Sequence, residues 1–259
     1  MVEIIEVNEE NIEKVGLFCK KSQKKEQGYQ NKLKWIKERF KEGLKYHLLM
    51  VKERGKEFSR GFIEYIPGEF NWRGIEADGW MVIHCLWITG KAKNQGSGSK
   101  LVEVAINDAK EQNMHGVVVL TSSKCDGIAN NEIFEKLNFK QIEEAKPAYE
   151  LYTLQFNKDA PTPKINPTSI ENIKKCGKGI VIIDAHQCPY AQTIVDPVGE
   201  WAKNQNIPFK VITYKNCKEA QQNGISPYAI YGVIYNNEVI SYCYPRRGQE
   251  IIDKIKKLN

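Results

Sequence analysis

The stretch CLWITGKAKNQGSGSKL occupies residues 85–101 and decides how the first half of the chain is expected to fold. It passes from an apolar run through a turn rich in lysine and glycine into an amphipathic helix, which we expect to start near Ser99. Gly96 and Gly98 allow the backbone to approach a ligand closely, Ser97 and Ser99 add hydroxyl donors, and the helix contributes the positive end of its dipole. The stretch therefore predicts a turn that binds phosphate.

The segments around this turn indicate an α/β sheet. Residues 80–88 are an apolar run typical of a buried central strand, residues 99–113 carry apolar side chains at helical spacing, and residues 117–121 (VVVLT) form a compact buried strand. Further upstream, residues 46–52 and 61–66 are typical of a β-hairpin. The predicted order of elements is βααββ followed by βαβαβ.

Two motifs resemble those of a known family. Residues 93–98 (KNQGSG) match the pyrophosphate motif [RQ]-x-x-G-x-[GA] of the GNAT superfamily of acyl-CoA-dependent N-acyltransferases, with Lys93 in place of the usual Arg or Gln. Residues 131–139 (NEIFEKLNF) resemble a later helix-turn segment of that family, and residues 86–88 stand where its central strand offers main-chain groups to the pantetheine arm. The resemblance covers residues 1–156 and implies a GNAT-type mixed sheet flanked by helices, with acetyl-CoA as co-substrate.

The same resemblance implies which residues contact acetyl-CoA. They are Leu86, Trp87, Ile88, Lys93, Asn94, Gln95, Gly96, Ser97, Gly98, Ser99, Asn131 and Phe134. Phe134 occupies the position where many members of the family carry a tyrosine that returns a proton to the departing CoA thiolate. Because phenylalanine has no proton to donate, the general acid must be another group or water, or it is absent.

In such enzymes the acceptor amine attacks the thioester directly, so the protein has to position the amine and remove its proton. The candidate bases near the central strand are His84, Glu76 and Asp78, with Glu64 on the neighbouring strand. The pKa of histidine suits proton transfer, but a histidine inside an apolar run is also typical of a hydrogen-bonded core residue. His84 and Glu76 are the catalytic candidates that we carry forward.

A second motif, HQCPYA at residues 186–191, follows a predicted buried strand and is expected to open a helix with Pro189 at its first position. The helix dipole is then expected to lower the pKa of Cys188, which makes Cys188 the candidate reactive thiol. The segment resembles the CPY[CS] site of glutaredoxins within the thioredoxin-like fold, and Pro227 stands where that fold places a cis-proline. Ala191 replaces the second cysteine, so a dithiol mechanism would need another cysteine nearby.

The chain is therefore expected to contain two α/β domains. Residues 1–156 form the GNAT-like domain, and residues 178–259 form a smaller thioredoxin-like α/β domain. Residues 157–177 contain three prolines in a polar context and are expected to form an exposed linker.

Composition narrows the class of protein further. The net charge of +6 arises largely from lysines on a predicted solvated helix face, so we do not expect nucleic-acid binding. The seven cysteines form no CxxC pair, which argues against a disulfide scaffold, a zinc finger or another metal site. No segment has the pattern of a signal peptide or a membrane span, so we expect a cytoplasmic protein.

These patterns favour transfer of an acetyl group from acetyl-CoA to the primary amine of a small molecule or a peptide, with the C-terminal domain guiding the choice of acceptor. Two alternatives remain open at this stage. One is a monothiol redox or thiol-sensing protein that uses Cys188. The other is a non-catalytic protein that binds CoA and responds to it. The patterns leave the oligomeric state open.

Overall fold

The computed structural model of the protein describes residues 2–125, 127–168 and 170–258. We call residues 2–156 the N-terminal unit and residues 178–258 the C-terminal unit. The strands of the described residues are β1 (Val2–Val7), β2 (Lys45–Glu53), β3 (Lys56–Pro67), β4 (Ile75–Glu76), β5 (Met81–Ile88), β6 (Gly116–Thr121), β7 (Lys140–Ala145), β8 (Tyr149–Gln155), β9 (Lys164–Ile165), β10 (Ile180–Asp184), β11 (Phe209–Ile212), β12 (Tyr231–Tyr235) and β13 (Glu238–Ser241).

The helices of the described residues lie within the two units, apart from the helix at Ile170–Lys174, which lies in the segment between them. They are α1 (Ile12–Val15), α2 (Gln27–Phe40), α3 (Ser97–Glu111), α4 (Glu132–Lys136), α5 (Ile170–Lys174), α6 (Gln192–Asn204), α7 (Cys217–Asn223) and α8 (Gly248–Lys256). None of the helices in the described ranges is both long enough and apolar enough to cross a bilayer.

The N-terminal unit is built on a seven-stranded mixed sheet in the order β1-β2-β3-β5-β6-β8-β7. β5 and β6 are its parallel pair, and they are paired only over residues 81–83 of β5. The register between β3 and β5 then shifts so that His84 is an extra residue, as in a β-bulge. Beyond this bulge, the edge of β5 that faces β6 has no partner strand. The two strands therefore diverge just before the Gly-rich turn.

Helix α3 packs on one face of this sheet because its apolar positions form a single stripe. Leu101, Val102, Ala105 and Ala109 are all fully buried there. β6 is buried at each of its six positions, as expected for a central strand covered on both faces. The predicted strand, turn and helix of residues 80–113 are thus confirmed, and α3 begins two residues before the predicted Ser99.

The C-terminal unit contains a four-stranded sheet in the order β11-β10-β12-β13. β10 and β11 run parallel, whereas β12 runs antiparallel to β10 and pairs with β13 through a hairpin. The hairpin turns at Asn236 and Asn237, both of which have positive φ, as two-residue hairpin turns commonly require. The unit has the element order βαβαββα.

The segment between the units contains more structure than an exposed linker. β9 pairs with β4 of the N-terminal unit, and α5 follows before the C-terminal sheet begins. The units also share a core, because buried apolar residues from both sheets belong to one continuous cluster. Two hydrogen bonds also join the N-terminal unit to the C-terminal unit. Tyr149 Oη donates to the Tyr242 carbonyl at 2.9 Å, and Gly74 N–H donates to the Pro227 carbonyl at 2.9 Å.

A disulfide between Cys125 and Cys243 joins the two units, with 5.6 Å between the Cα atoms. Cysteine spacing argued against a disulfide scaffold and did not predict this single bond. Cys125 and Cys243 are separated by 118 residues, so their proximity is a product of the tertiary fold and leaves no local pattern in the sequence.

Candidate active site

A groove opens at the point where β5 and β6 diverge, and it runs between β5 and α4. Its volume is about 310 Å³. The residues that line this β5–α4 groove are Leu86, Trp87, Ile88, Lys93, Ile128, Ala129, Asn130, Glu132 and Ile133. Four of the predicted acetyl-CoA residues, namely Leu86, Trp87, Ile88 and Lys93, therefore lie together along one wall.

The Gly-rich turn places uncapped main-chain N–H groups at the end of this groove. Gly96 is the residue before α3 and adopts the left-handed conformation with φ of 71°, and Asn94 also has positive φ. No side chain caps the helix, and the first bond of its backbone ladder runs from Lys100 N–H to the Gly96 carbonyl. The N–H groups of the first turn and the ammonium of Lys93 thus make this end of the groove attractive to an anion.

Two predicted ligand residues in the α4 segment do not line the β5–α4 groove. Phe134 is fully buried and packs edge-on against Phe139, with 5.4 Å between ring centroids. Asn131 Nδ2 donates to Tyr152 Oη at 3.1 Å. Both residues hold α4 against the sheet, because the helical turn that points Phe134 into the core presents Glu132 and Ile133 to the groove.

A larger cavity of about 800 Å³ lies on the other side of Trp87, between the N-terminal and C-terminal units. We call it the central cavity. It is lined by Phe18, Cys19, Lys21, Glu57, Phe58, Ser59, Phe62, Cys85, Trp87, Thr89, Gly127, Cys188, Tyr190, Thr193, Tyr244, Pro245 and Arg246. Trp87 lines both the cavity and the groove, so the two spaces meet at the end of β5.

Three free thiols line the central cavity, and burial raises the pKa of each one. The pKa of Cys85 rises to about 12, that of Cys188 rises to about 11, and that of Cys19 is also well above its ordinary value. These thiols are therefore protonated at neutral pH and act as small apolar groups. No group of three or more His, Cys, Asp or Glu side chains in the described ranges is arranged to hold a metal ion.

A buried polar network closes the inner end of the central cavity. Lys32 Nζ donates to Glu64 Oε2, and Gln187 Nε2 donates to the other carboxylate oxygen at 2.6 Å. Arg73 in turn donates to Gln187 Oε1 at 2.8 Å and to the His84 carbonyl. Burial acts to raise the pKa of Glu64, but Lys32 and His84 lower it to about 2, so the carboxylate stays ionised.

His84 is a member of this network and is not placed to act as a base. Trp72 N–H donates to His84 Nε2 at 3.0 Å, so the ring proton lies on Nδ1, which is 3.7 Å from Glu64 Oε1. Burial lowers the pKa of His84 to about 4, although Glu64 acts to raise it. The ring is neutral, and its one acceptor nitrogen already accepts the hydrogen bond from Trp72. His84 therefore has the structural role of a core histidine.

Glu76 is remote from both the β5–α4 groove and the central cavity. It is exposed in β4, where it pairs with Lys164 of β9, close to the first residue of β5. The groove lies at the other end of β5, and a strand of eight residues spans about 25 Å. Glu76 was expected near the site because it is close to the central strand in sequence. It lies near the start of β5, however, whereas the groove lies at the end of that strand.

The expected low pKa of Cys188 is contradicted by its surroundings. α6 begins at Gln192 instead of Pro189, so Cys188 precedes the first turn of the helix and gains little from its dipole. Burial then raises the pKa of Cys188, although a backbone hydrogen bond from Tyr190 and the charge of Lys32 act to lower it. The Ser226–Pro227 bond is also not among the cis peptides of the described residues, where Lys146–Pro147 is the only one.

Sequence patterns missed the residues that close the central cavity. Lys32 belongs to a lysine-rich helix that was expected to be solvated, yet it is 5% exposed because Glu64 accepts its hydrogen bond from the neighbouring sheet. Gln187 is adjacent to Cys188 in the HQCPYA motif, and its amide is bonded to the N-terminal unit. No sequence motif marks Tyr244 as a cavity residue, since it simply follows the final strand, β13.

Comparisons with known proteins give consistent similarities. Residues 12–139 match the acetyltransferase (GNAT) family. The chain is 31% identical over 221 residues to the uncharacterized N-acetyltransferase YoaP of Bacillus subtilis strain 168, and the match covers 85% of each chain.

Solved structures of acetyltransferases also resemble part of the chain. A GNAT-family acetyltransferase from Staphylococcus aureus Mu50 is 19% identical, with a TM-score of 0.42, over 60% of this chain and 99% of that one. A GNAT-family acetyltransferase from Brucella melitensis, solved in complex with acetyl-CoA, is 15% identical, with a TM-score of 0.40, over 64% of this chain and 96% of that one.

Proposed function

Because the chain belongs to the GNAT family of acetyltransferases, we propose that it transfers the acetyl group of acetyl-CoA to the primary amine of a small molecule or a peptide. The observation that carries this proposal is the position of Trp87, at which the β5–α4 groove and the central cavity meet. A transferase needs two such spaces with a common boundary, because the donor and the acceptor must react at one point.

Acetyl-CoA would occupy the β5–α4 groove. Lys93 and the N–H groups at the start of α3 would bind the pyrophosphate, as expected at the positive end of a helix. The pantetheine arm would lie along residues 86–88, where the edge of β5 facing β6 lacks a partner strand and leaves main-chain groups available. The thioester would then lie beside Trp87.

The reaction would be a direct attack of the amine nitrogen on the thioester carbonyl carbon. The C–N bond forms, the C–S bond breaks, and CoA leaves as a thiolate. Main-chain N–H groups of β5 would stabilise the oxyanion that develops on the carbonyl. Neither His84 nor Phe134 is placed to move a proton, so we propose that water in the central cavity accepts the proton of the amine and that water protonates the thiolate.

The C-terminal unit would act as a thioredoxin-like recruitment domain that guides the choice of acceptor. Its βαβαββα order and its sheet order support a relation to that fold. Its Cys188 has a raised pKa, and Cys243 is held in a disulfide with Cys125, which speaks against a thiol-redox role. Tyr190 and Tyr244 from this unit supply part of the wall of the central cavity.

Product formation tests the proposal. The full-length chain is incubated with acetyl-CoA and a panel of primary amines, and N-acetylated products are identified by mass spectrometry. Lys93→Ala should raise the KM for acetyl-CoA about tenfold through loss of one charge-assisted contact. Lys110→Ala, in the last turn of α3, should leave it unchanged. Binding of acetyl-CoA without any product would instead favour a non-catalytic CoA-responsive protein.

A further inference from the structure

The central cavity has the size of a small-molecule site, and six of the seventeen described residues that line it are aromatic. Its volume of about 800 Å³ falls within the range of roughly 300–1,000 Å³ that is typical of such sites. The aromatic residues on its wall are Phe18, Phe58, Phe62, Trp87, Tyr190 and Tyr244. The three protonated thiols extend this apolar surface toward the interior.

The charged side chains described around the central cavity and its mouth are predominantly basic. Lys21 lines the cavity, and Glu57 is the one carboxylate among the described residues that do so. At the inner end, the carboxylate of Glu64 is already paired with Lys32. Among the described residues, an acceptor with several ammonium groups would therefore find only the carboxylate of Glu57 in its binding space.

A second group of cations lies beside the mouth of the cavity. It surrounds the turn between β2 and β3, and Phe58 belongs both to this depression and to the central cavity. The cations are Lys52, Arg54, Lys56 and Lys91. The carboxylate of Glu53 in the same depression is held by two hydrogen bonds from Arg60, at 2.8 and 2.7 Å. The resulting positive potential repels polycations from the entrance.

We propose that the acceptor is a free monoamine with an apolar body of aromatic size, and that polycationic amines are poor acceptors. This inference rests on the proposed acetyl transfer. The apolar body would lie against the aromatic wall, and the amine would reach Trp87, where the groove meets the cavity. A carboxylate elsewhere on the acceptor is compatible with the surrounding positive charge, whereas a second ammonium is not.

Amine binding to the full-length protein, saturated with CoA, tests this assignment by isothermal titration. We expect 2-phenylethylamine to bind at least tenfold more tightly than spermidine. Phe58→Ala and Tyr190→Ala, which remove partly exposed rings from the wall, should each weaken binding of 2-phenylethylamine at least fivefold. Phe70→Ala is the matched control, because Phe70 is 41% exposed, similar to Phe58 at 39%, and does not line the cavity.

Reversal of one charge supplies an independent readout. Lys21→Glu should strengthen the binding of spermidine at least threefold more than that of 2-phenylethylamine, because spermidine carries more ammonium groups. Spermidine that binds the wild type as tightly as 2-phenylethylamine would overturn the inference, and so would equal binding of 2-phenylethylamine by Phe58→Ala, Tyr190→Ala and the wild type.

The outcome also separates this inference from the proposed function. Acetylation of spermidine in preference to aromatic monoamines would retain the acetyl transfer and overturn the substrate class. Tight binding of 2-phenylethylamine with no N-acetylated product from any amine would retain the binding class of the central cavity and overturn the transfer.

Discussion

Lys32 Nζ donates a hydrogen bond to Glu64 Oε2, and both side chains are withdrawn from solvent at the inner end of the central cavity. The other oxygen of the same carboxylate accepts a hydrogen bond from Gln187 of the C-terminal unit. One carboxylate therefore neutralises a buried ammonium and links the two units. Its removal would leave Lys32 buried without its counter-ion.

Glu64→Gln should lower the free energy of unfolding by about 3–5 kcal/mol, because an uncompensated charge then remains in the interior. Urea denaturation at pH 7 measures this change. The double variant Lys32→Met/Glu64→Leu should recover most of the loss, because the buried ammonium of Lys32 is removed together with its counter-ion. A Glu64→Gln variant within about 1 kcal/mol of the wild type would contradict the role given to this pair.

The same carboxylate makes stability sensitive to acid. The pKa of Glu64 is about 2 in the folded protein, below its ordinary 4.5, so the unfolded chain binds the proton more readily. The stabilising contribution is therefore complete above pH 4.5 and is lost as the pH falls from 4.5 toward 2. In urea titrations over this range, the double variant should lose less stability than the wild type; equal slopes would argue against the assignment.

Asp184, at the end of β10, should produce the opposite dependence on pH. Burial raises its pKa from 3.8 to about 7, although a backbone hydrogen bond from His186 acts to lower it. The folded chain holds the proton more tightly, so the contribution to stability is present below pH 3.8 and is lost as the pH rises through 7. Asp184→Asn should raise the free energy of unfolding at pH 8 by about 2–4 kcal/mol and have less effect at pH 5.

Urea denaturation at the two pH values checks this prediction for Asp184. Asp159→Asn is the control, because Asp159 is exposed in the segment between the units. An Asp184→Asn variant that is less stable than the wild type at pH 8 would show that the carboxylate is satisfied in its charged form.

The Cys125–Cys243 disulfide should be detectable by counting thiols. Alkylation of the denatured, unreduced protein should label five of the seven cysteines, and reduction should expose the remaining two. Because the bond closes a long loop, its loss in Cys125→Ser should lower the free energy of unfolding by about 2–5 kcal/mol. A reductant should lower the Tm of the wild type but not that of Cys125→Ser. Seven labelled cysteines without reduction would disprove the bond.

Cys188 should behave as an unreactive thiol. Its pKa is about 11, so only a small fraction is thiolate at pH 7, and labelling by iodoacetamide should rise steadily with pH up to at least pH 10. Peptide mapping by mass spectrometry isolates Cys188 from the other cysteines. A labelling midpoint at or below pH 8.5 would revive the monothiol redox alternative.

Sequence patterns predicted local geometry well and tertiary environment poorly. Residues 85–101 define a strand, a Gly-rich turn and a helix through neighbours in the chain, and all three are present. The pKa of Cys188 and the burial of Lys32 instead depend on contacts with distant elements, for which a single sequence carries no signal. β7 and α8 were missed because the first alternates weakly and the second follows a hairpin without a clear helix start.

The same distinction explains the outcome for the candidate site. Leu86 and Lys93 lie in the β5–α4 groove because the strand and turn position them directly. Phe134 lies in the core, since a helical turn of five residues has one buried face and the pattern did not fix which face it is. The Nε2 atom of His84 accepts a hydrogen bond from the main-chain N–H of Trp72, which only the fold brings to it.

The central claim, that the β5–α4 groove binds acetyl-CoA for transfer, is tested most directly by isothermal titration of acetyl-CoA into three proteins. Ile133→Trp should fill the groove, and Ile142→Trp introduces the same side chain on β7, where Ile142 is 37% exposed and lines neither space. The account predicts one acetyl-CoA bound by the wild type and by Ile142→Trp, and binding at least tenfold weaker by Ile133→Trp. No binding by the wild type, or equal binding by all three, would contradict it.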